Sequence, residues 1–253
     1  MSLVSSAETK LKAAVVDRLF SSGVLDEDAV LVTELTVDNW AHRTDIVLAN
    51  GRLWGFELKS ERDTLTRLPA QIESFSKHFE KFVLVVDEKF EAQAELLIRS
   101  VSGAGLWISR EKGKLTEKIR PRAAPLAKKN SISLMTVSEL RKLLSECGHH
   151  GLKGKRRSEL VDIAENLSPK TLADGAREAI KARFKRVHQR FLLQREAIGS
   201  LKALPLLTRT TGKTMPVEHA HKINNMSFCP PIPLSHPNLI QTPSGPVIAR
   251  LKR

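Results

Sequence analysis

A predicted β-hairpin centred on Asn50-Gly51 is the feature that most restricts the fold of this chain. The dipeptide favours the positive φ angles of a two-residue hairpin turn, and apolar runs of strand character flank it on both sides. Because side chains alternate along a strand, Glu57 and Lys59 leave the same face of the second strand. Pairing of the two strands would bring Asp45 close to Glu57.

The segments around the hairpin predict a mixed α/β fold. Apolar residues at helical spacing indicate a first helix over 7–20, and strands are predicted over 29–37, 44–49 and 52–59. A helix is predicted over 63–79, where Pro69 should kink it or mark its first turn. A buried strand, a further helix and two short strands follow, over 81–87, 88–101, 105–109 and 114–120. The predicted order is therefore αβββαβ followed by αββ.

The formal net charge of +13 is concentrated in the second half of the chain. Residues 1–125 carry 18 Lys and Arg against 19 Asp and Glu, whereas residues 126–253 carry 23 against 9. Clustered Lys and Arg gain affinity for polyanions by counterion release. The second half is therefore predicted to bind a polyanion such as DNA, with a purely solubilising role or nonspecific RNA binding as the alternative.

Composition also predicts where the chain divides. The Pro-containing segment 121–125 coincides with the change in charge, so we predict an α/β domain over 1–122 and a linker over 123–132. Amphipathic helices then predict a small basic helical domain over 133–198. The Pro-rich stretch over 199–253 predicts an extended C-terminal tail.

Several classes of protein are not expected. No apolar run approaches the ~18 residues of a membrane span, and the N-terminus lacks the pattern of a secretory signal. Cys147 and Cys229 are too far apart in sequence to form a CxxC motif, and two cysteines give no disulfide framework. We therefore expect a cytoplasmic protein with reduced thiols and no membrane partner.

Two carboxylates beside an ammonium suit a divalent cation. Mg²⁺ prefers oxygen ligands and retains several waters, so Asp45 and Glu57 could bind it together with a phosphate, with Mn²⁺ as a substitute. The metal would lower the pKa of a bound water, and Lys59 would orient that water. The alternative is a surface hairpin with ordinary exposed charges.

At this point the sequence resembles the PD-(D/E)XK nuclease superfamily. Glu57-Leu58-Lys59 matches the (D/E)XK element, and Thr44-Asp45 stands where the family has Pro-Asp. The resemblance covers roughly residues 7–90 and implies a restriction-endonuclease-like αβββαβ core. It implies that Asp45 and Glu57 bind the metal and that Lys59 is catalytic.

Further positions are implied by the same resemblance. The segment from Gln71 to Phe75 resembles the Gln-x-x-x-Tyr helix motif of RecB-like members, with Phe75 in place of Tyr, and assigns Gln71 to the catalytic site. A first-helix glutamate often completes the metal site in this superfamily. Glu8 is the best-placed candidate, Glu34 competes with it, and a solvated helix-start residue is the alternative for Glu8.

Residues 140–167 resemble a SAP-like helix-loop-helix DNA-binding module. A basic loop precedes its second helix, whose N-terminal amides would suit a phosphate. The alternative is a small helical packing domain with solvated basic residues. The predicted DNA-binding residues are Arg62, Arg67, Lys153, Lys155, Arg156 and Arg157.

The combined prediction is a Mg²⁺-dependent DNA nuclease that hydrolyses phosphodiester bonds in repair or defence. The first alternative is a noncatalytic DNA-binding protein that retains a nuclease-like fold. The second is a subunit that acts only with a protein partner or as a homodimer.

Overall fold

The computed structural model describes residues 6–37, 42–207, 239–242 and 245–248. The chain forms a large compact unit, which ends at Thr211, and a small C-terminal unit. The described part of the small unit is an antiparallel hairpin, with strands at Leu239–Thr242 and Gly245–Ile248.

A six-stranded mixed sheet forms the centre of the large unit, and its strands lie side by side in chain order. The first three strands are antiparallel, the third to fifth are parallel, and the sixth is antiparallel to the fifth. The strands are β1 (Val30–Val37), β2 (His42–Ala49), β3 (Leu53–Lys59), β4 (Lys81–Asp87), β5 (Gly105–Ser109) and β6 (Leu115–Ile119).

Helices cover both faces of this sheet, which explains the continuous apolar run of β4. Val83 and Val85 join a core cluster with helix α1 (Ala7–Ser21), whereas Leu84 and Val86 join the cluster on the opposite face. A strand buried on both faces needs apolar residues at successive positions. Helices α2 (Leu68–His78) and α3 (Glu91–Arg99) pack in the second cluster.

Residues 126–207 of the basic half add five α-helices and a short 3-10 helix to the same unit. The second core cluster continues from the sheet into them, through the segment predicted as a linker. The division into domains at 123–132 stays a prediction, and α4 begins inside that segment. These helices are α4 (Lys128–Ser133), α5 (Val137–Glu146), α6 (Arg157–Ala164), α7 (Pro169–Ile198) and α8 (Ser200–Ala203).

The mixed α/β class and the predicted order of elements are confirmed, with three local differences. The β2–β3 connection is a three-residue loop from Asn50 to Arg52, and neither Asn50 nor Gly51 has the positive φ predicted for a two-residue turn. Helix α2 begins at Leu68 and not at Asp63, because the Asp63 carboxylate accepts hydrogen bonds from the amide and hydroxyl of Ser60 in the preceding turn. Pro69 therefore lies in the first turn of the helix. Residues 200–207 are helical, whereas the sequence predicted an extended tail from residue 199. Leu204 and Leu207 bury their side chains, which explains why this segment folds onto the unit.

Most of the predicted tail, including Cys229, lies outside the described residues. Within the described ranges, none of the helices combines the length and apolar character needed to cross a bilayer.

Candidate functional site

The predicted site residues come together in a cleft of about 590 Å³ beside the β2–β3 hairpin. Strands β2 and β3 contribute Asp45, Glu57 and Lys59, and α2 contributes Gln71. Glu8 of α1 and Arg67, just before α2, also line the cleft. Arg62 lies instead in a neighbouring pocket of about 560 Å³, with Asp87 and Arg110.

The hairpin register places the two carboxylates as the sequence predicted. Ile46 pairs with Phe56, so the preceding and following residues, Asp45 and Glu57, are neighbours across the two strands. The Leu58 amide donates to Asp45 Oδ2 at 2.8 Å. This bond ties the Asp45 carboxylate to the backbone of β3 beside Glu57.

Glu57 lies at the centre of a hydrogen-bonded group. Its Oε1 accepts from Lys59 Nζ at 2.7 Å and from Gln71 Nε2 at 2.6 Å. Its Oε2 is buried without a hydrogen-bond partner, as is Gln71 Oε1. The carboxylate therefore retains a free oxygen that could accept a proton or bind a cation.

Burial changes the ionisation of both carboxyl groups. Desolvation, reinforced by the nearby Asp45, raises the pKa of Glu57 to about 8, although Lys59 and Gln71 act in the opposite direction. Desolvation also raises the pKa of Asp45, against the attraction of Lys12 and the hydrogen bond from Leu58. At neutral pH the Glu57 carboxyl is therefore mainly protonated, because loss of its proton would place a second negative charge in a poorly solvated site.

Lys12 is a functional candidate that the sequence analysis missed. Its ammonium lies 2.7 Å from Glu8, 3.4 Å from Asp45 and 3.8 Å from Glu34, with the side chain only 12% exposed. Burial lowers the pKa of Lys12, but Asp45 and Glu8 raise it by more, so the ammonium stays charged. One sequence signal was available, since Glu8 and Lys12 are four residues apart and share a face of α1.

Both candidate acids for completing the site therefore contact the same ammonium. Glu34 has an unusual backbone, with a φ of 60° inside β1, directly across from Asp45. A non-glycine residue in the left-handed region carries strain of roughly 1–2 kcal/mol. Its carboxylate also lies 3.3 Å from Arg43. The strain is thus located at the candidate site and not at a turn.

The residues present supply a minimal donor set for Mg²⁺. One or two carboxylates suffice when waters or phosphate oxygens complete the coordination; Glu57 lines the cleft, and its Oε2 is buried without a hydrogen-bond partner. Across residues 6–37 and 42–207, however, no cluster of three or more His, Cys, Asp or Glu side chains is placed to hold a metal ion. Lys12 and Lys59 supply positive charge at the carboxylates.

The basic loop between α5 and α6 is held in place by two arginines. Arg141 donates to the carbonyl oxygens of Leu152 and Lys155, at 3.1 and 3.2 Å. Arg157 donates to the carbonyl oxygens of Met135 and Ile132, at 2.8 and 3.1 Å. Arg157, predicted to contact DNA, thus has its guanidinium engaged within the protein.

The other three predicted residues of this loop differ in their partners. Lys155 forms an ion pair with Glu159 at 3.4 Å. The Glu159 carboxylate also accepts from the Arg156 amide at 2.8 Å, so an acid already lies where the sequence predicted a phosphate at the helix N-terminus. Lys153 and Arg156 have exposed side chains, and neither has an acidic partner among the described residues.

The fold and these two sites define a mixed α/β protein with a polar cleft at a β-hairpin and a basic helical layer. A family model described as Bacteriophage P4 protein cII matches residues 1–207. Protein cII of Enterobacteria phage P4 is 31% identical over 188 residues, which cover 73% of this chain and 70% of that protein. The chain belongs to the bacteriophage P4 protein cII family.

This membership corrects the assignment made from the sequence. The family model and the phage relative point to protein cII and not to the PD-(D/E)XK superfamily, so that predicted membership is wrong. The prediction of a Mg²⁺-dependent nuclease is wrong with it. No solved structure matches the chain, and the restriction-endonuclease-like core is not confirmed.

The physical origin of the error is the shortness of the motif. An acidic residue two positions before a lysine recurs by chance. The nuclease assignment therefore depended on the inference that two facing carboxylates need a compensating metal ion. In the structure Lys12 and Lys59 lie against those carboxylates. The roles predicted for Asp45, Glu57, Lys59 and Gln71 stay predictions.

Proposed function

We propose that this protein binds DNA without hydrolysing it, through the basic loop between α5 and α6. The observation that carries the proposal is the exposed pair Lys153 and Arg156 on a loop that Arg141 and Arg157 hold in one conformation. A rigid loop loses little conformational entropy when its side chains contact phosphates. The α/β sheet serves as the scaffold for this helical layer, a nuclease-like core without nuclease activity.

Charge supports the same proposal. The half of the chain that contains the loop carries 23 Lys and Arg against 9 Asp and Glu. Phosphate contacts by such residues release counterions from DNA, which gives binding that weakens steeply as salt increases. Glu159 at the start of α6 directs the phosphate contact to the Lys153 and Arg156 side chains, because a carboxylate repels an anion at the helix N-terminus.

The test is duplex binding by fluorescence anisotropy over a range of salt concentrations. Lys153→Gln/Arg156→Gln should weaken binding and reduce the slope of log K against log salt by roughly 2, since each phosphate contact contributes about 0.9. The matched control is Lys89→Gln/Lys114→Gln, which removes two exposed cations from the α/β part. Equal losses in both variants would refute a contact located at the loop. The DNA recovered after incubation with Mg²⁺ is expected to be uncut.

Mg²⁺ stays a proposed ligand of the cleft. Asp45 and Glu57 would bind it through carboxylate oxygens, and the unpartnered Glu57 Oε2 supports this assignment. Binding would compete with the Lys12 ammonium for Asp45 and with the proton on Glu57. Both competitors predict weak binding to the wild-type protein.

A further inference from the structure

Helix α7 carries more positive charge than its packing uses. The segment from Ala179 to Arg195 contains no Asp or Glu, although it includes six Lys or Arg residues. The buried side of the helix includes Ile180, Phe184 and Phe191, which face the core. The opposite side is therefore free to present cations to a ligand.

Five of the eight basic residues of α7 are neutralised within the protein. Each forms an ion pair with an acid, and four of these acids lie outside α7, so the pairs also fix the helix to its surroundings. The pairs are Lys170–Asp174, Arg177–Glu80, Lys181–Asp28, Arg183–Glu139 and Arg195–Asp17.

The remaining three, Lys185, Arg186 and Arg190, form what we call the α7 stripe. All three are exposed, and none forms an ion pair within 4 Å in the part of the chain that the structure describes; Lys185 acts only at longer range on Asp28, which is paired with Lys181. Arg186 and Arg190 are one turn apart, about 6 Å along the helix axis. Like charges at this spacing destabilise a helix by roughly 0.2–0.5 kcal/mol, so the stripe opposes helix stability until an anion neutralises it.

We propose that the α7 stripe is a second contact surface for the sugar–phosphate backbone of DNA, an inference that rests on the proposed function. The guanidinium group presents a planar fork of donors that matches phosphate oxygens, and two of the three stripe residues are arginines. Long side chains one helical turn apart can reach successive phosphates of one strand. The stripe contributes affinity that does not depend on base sequence.

The experiment compares salt dependence of duplex binding for Lys185→Gln/Arg186→Gln/Arg190→Gln with that of the wild type. Removal of three phosphate contacts should reduce the slope of log K against log salt by roughly 2 to 3. The matched control Lys114→Gln/Arg120→Gln/Arg122→Gln removes one lysine and two arginines that are exposed and form no ion pair with the described residues of the α/β part, and it should keep the wild-type slope. A further variant, Arg186→Lys/Arg190→Lys, retains the charge and should retain most of the slope.

The outcomes separate this inference from the function on which it rests. A wild-type protein that does not bind duplex overturns both. Binding that depends on Lys153 and Arg156 but keeps its slope in the stripe variant overturns the stripe alone. In a further outcome, the stripe variant loses binding to vesicles of phosphatidylserine and phosphatidylcholine while it keeps wild-type duplex binding. That result overturns the inference in favour of a membrane surface. A reduced slope in the stripe variant and an unchanged slope in the control support it.

Discussion

At the scale of single residues, Lys12 determines the character of the cleft. One ammonium contacts carboxylates from α1, β1 and β2, and a second, Lys59, contacts Glu57. These two ammonium groups offset the negative charge that the neighbouring carboxyl groups carry when ionised. Lys12 therefore accounts for the acidic cluster that the sequence alone attributed to Mg²⁺.

Lys12→Met should make the stability of the protein more sensitive to Mg²⁺. Loss of a largely buried partner leaves Asp45 uncompensated, which should lower the free energy of unfolding by roughly 3 kcal/mol without Mg²⁺. Millimolar Mg²⁺ should then raise the melting temperature of Lys12→Met more than that of the wild type, because the ion replaces the ammonium. Thermal unfolding with and without Mg²⁺ measures both effects.

Lys10→Met is the matched control, since Lys10 is an exposed lysine on the same helix. It should change neither the stability nor the response to Mg²⁺. The combination Lys12→Met/Asp45→Asn should lose the Mg²⁺ response. An equal Mg²⁺ response in the wild type and Lys12→Met would show that Lys12 does not compete for this site.

At the scale of elements, local sequence patterns predicted the strands and helices, because their formation depends mainly on neighbouring residues. The turn residues at 50–51, the alternation along β3 and the apolar run of β4 predicted the hairpin and the sheet, and hence the proximity of Asp45 and Glu57, although the turn has three residues and not the predicted two. The position of Lys12 could not be predicted in this way, because it depends on how α1 packs across the sheet. The anchoring of Arg157 likewise depends on carbonyl groups more than twenty residues away in sequence.

The contact of Glu80 with Leu53 and Arg177 joins the sheet to α7 and can be tested by substitution. Glu80, next to β4, is only 3% exposed and accepts from the Leu53 amide at 2.8 Å and from Arg177 of α7 at 2.8 Å. Glu80→Ala should lower the free energy of unfolding by about 3 kcal/mol, because it leaves the buried Leu53 amide without its acceptor and the largely buried Arg177 guanidinium with Asp174 as its remaining carboxylate partner.

Glu73→Ala is the comparison, since Glu73 also forms an ion pair, with Lys77, but is 72% exposed. Its loss should change the free energy of unfolding by about 0.5 kcal/mol or less. Urea denaturation of both variants measures the difference. Similar losses would mean that burial does not strengthen the Glu80 contacts.

At the scale of the whole molecule, His188 and Glu57 contribute opposite changes of stability with pH. Burial lowers the pKa of His188 to about 4, while its Nδ1 accepts from the Leu31 amide at 3.2 Å. The unfolded chain, with a His pKa of 6.5, binds more protons between these values, so His188 makes stability fall as pH decreases from 6.5 to 4. Glu57 acts in the opposite direction, because its pKa rises from 4.5 to about 8 on folding and stability falls as pH increases between these values.

Between pH 4.5 and 6.5 the folded and unfolded states differ in protonation at both groups, and their slopes of about 1.4 kcal/mol per pH unit are opposite in sign. Wild-type stability should therefore vary less with pH there than between pH 6.5 and 8, where it should decrease as pH increases. Glu57→Gln replaces the titrating carboxyl with a neutral amide. It should abolish the decrease in stability between pH 6.5 and 8. His188→Gln should leave the Glu57 slope unopposed, so that the free energy of unfolding rises as pH decreases from 6.5 to 4.5. Urea denaturation of the three proteins between pH 4.5 and 8 measures how the free energy of unfolding changes with pH. If all three proteins show the same dependence on pH, the contributions assigned to Glu57 and His188 are wrong.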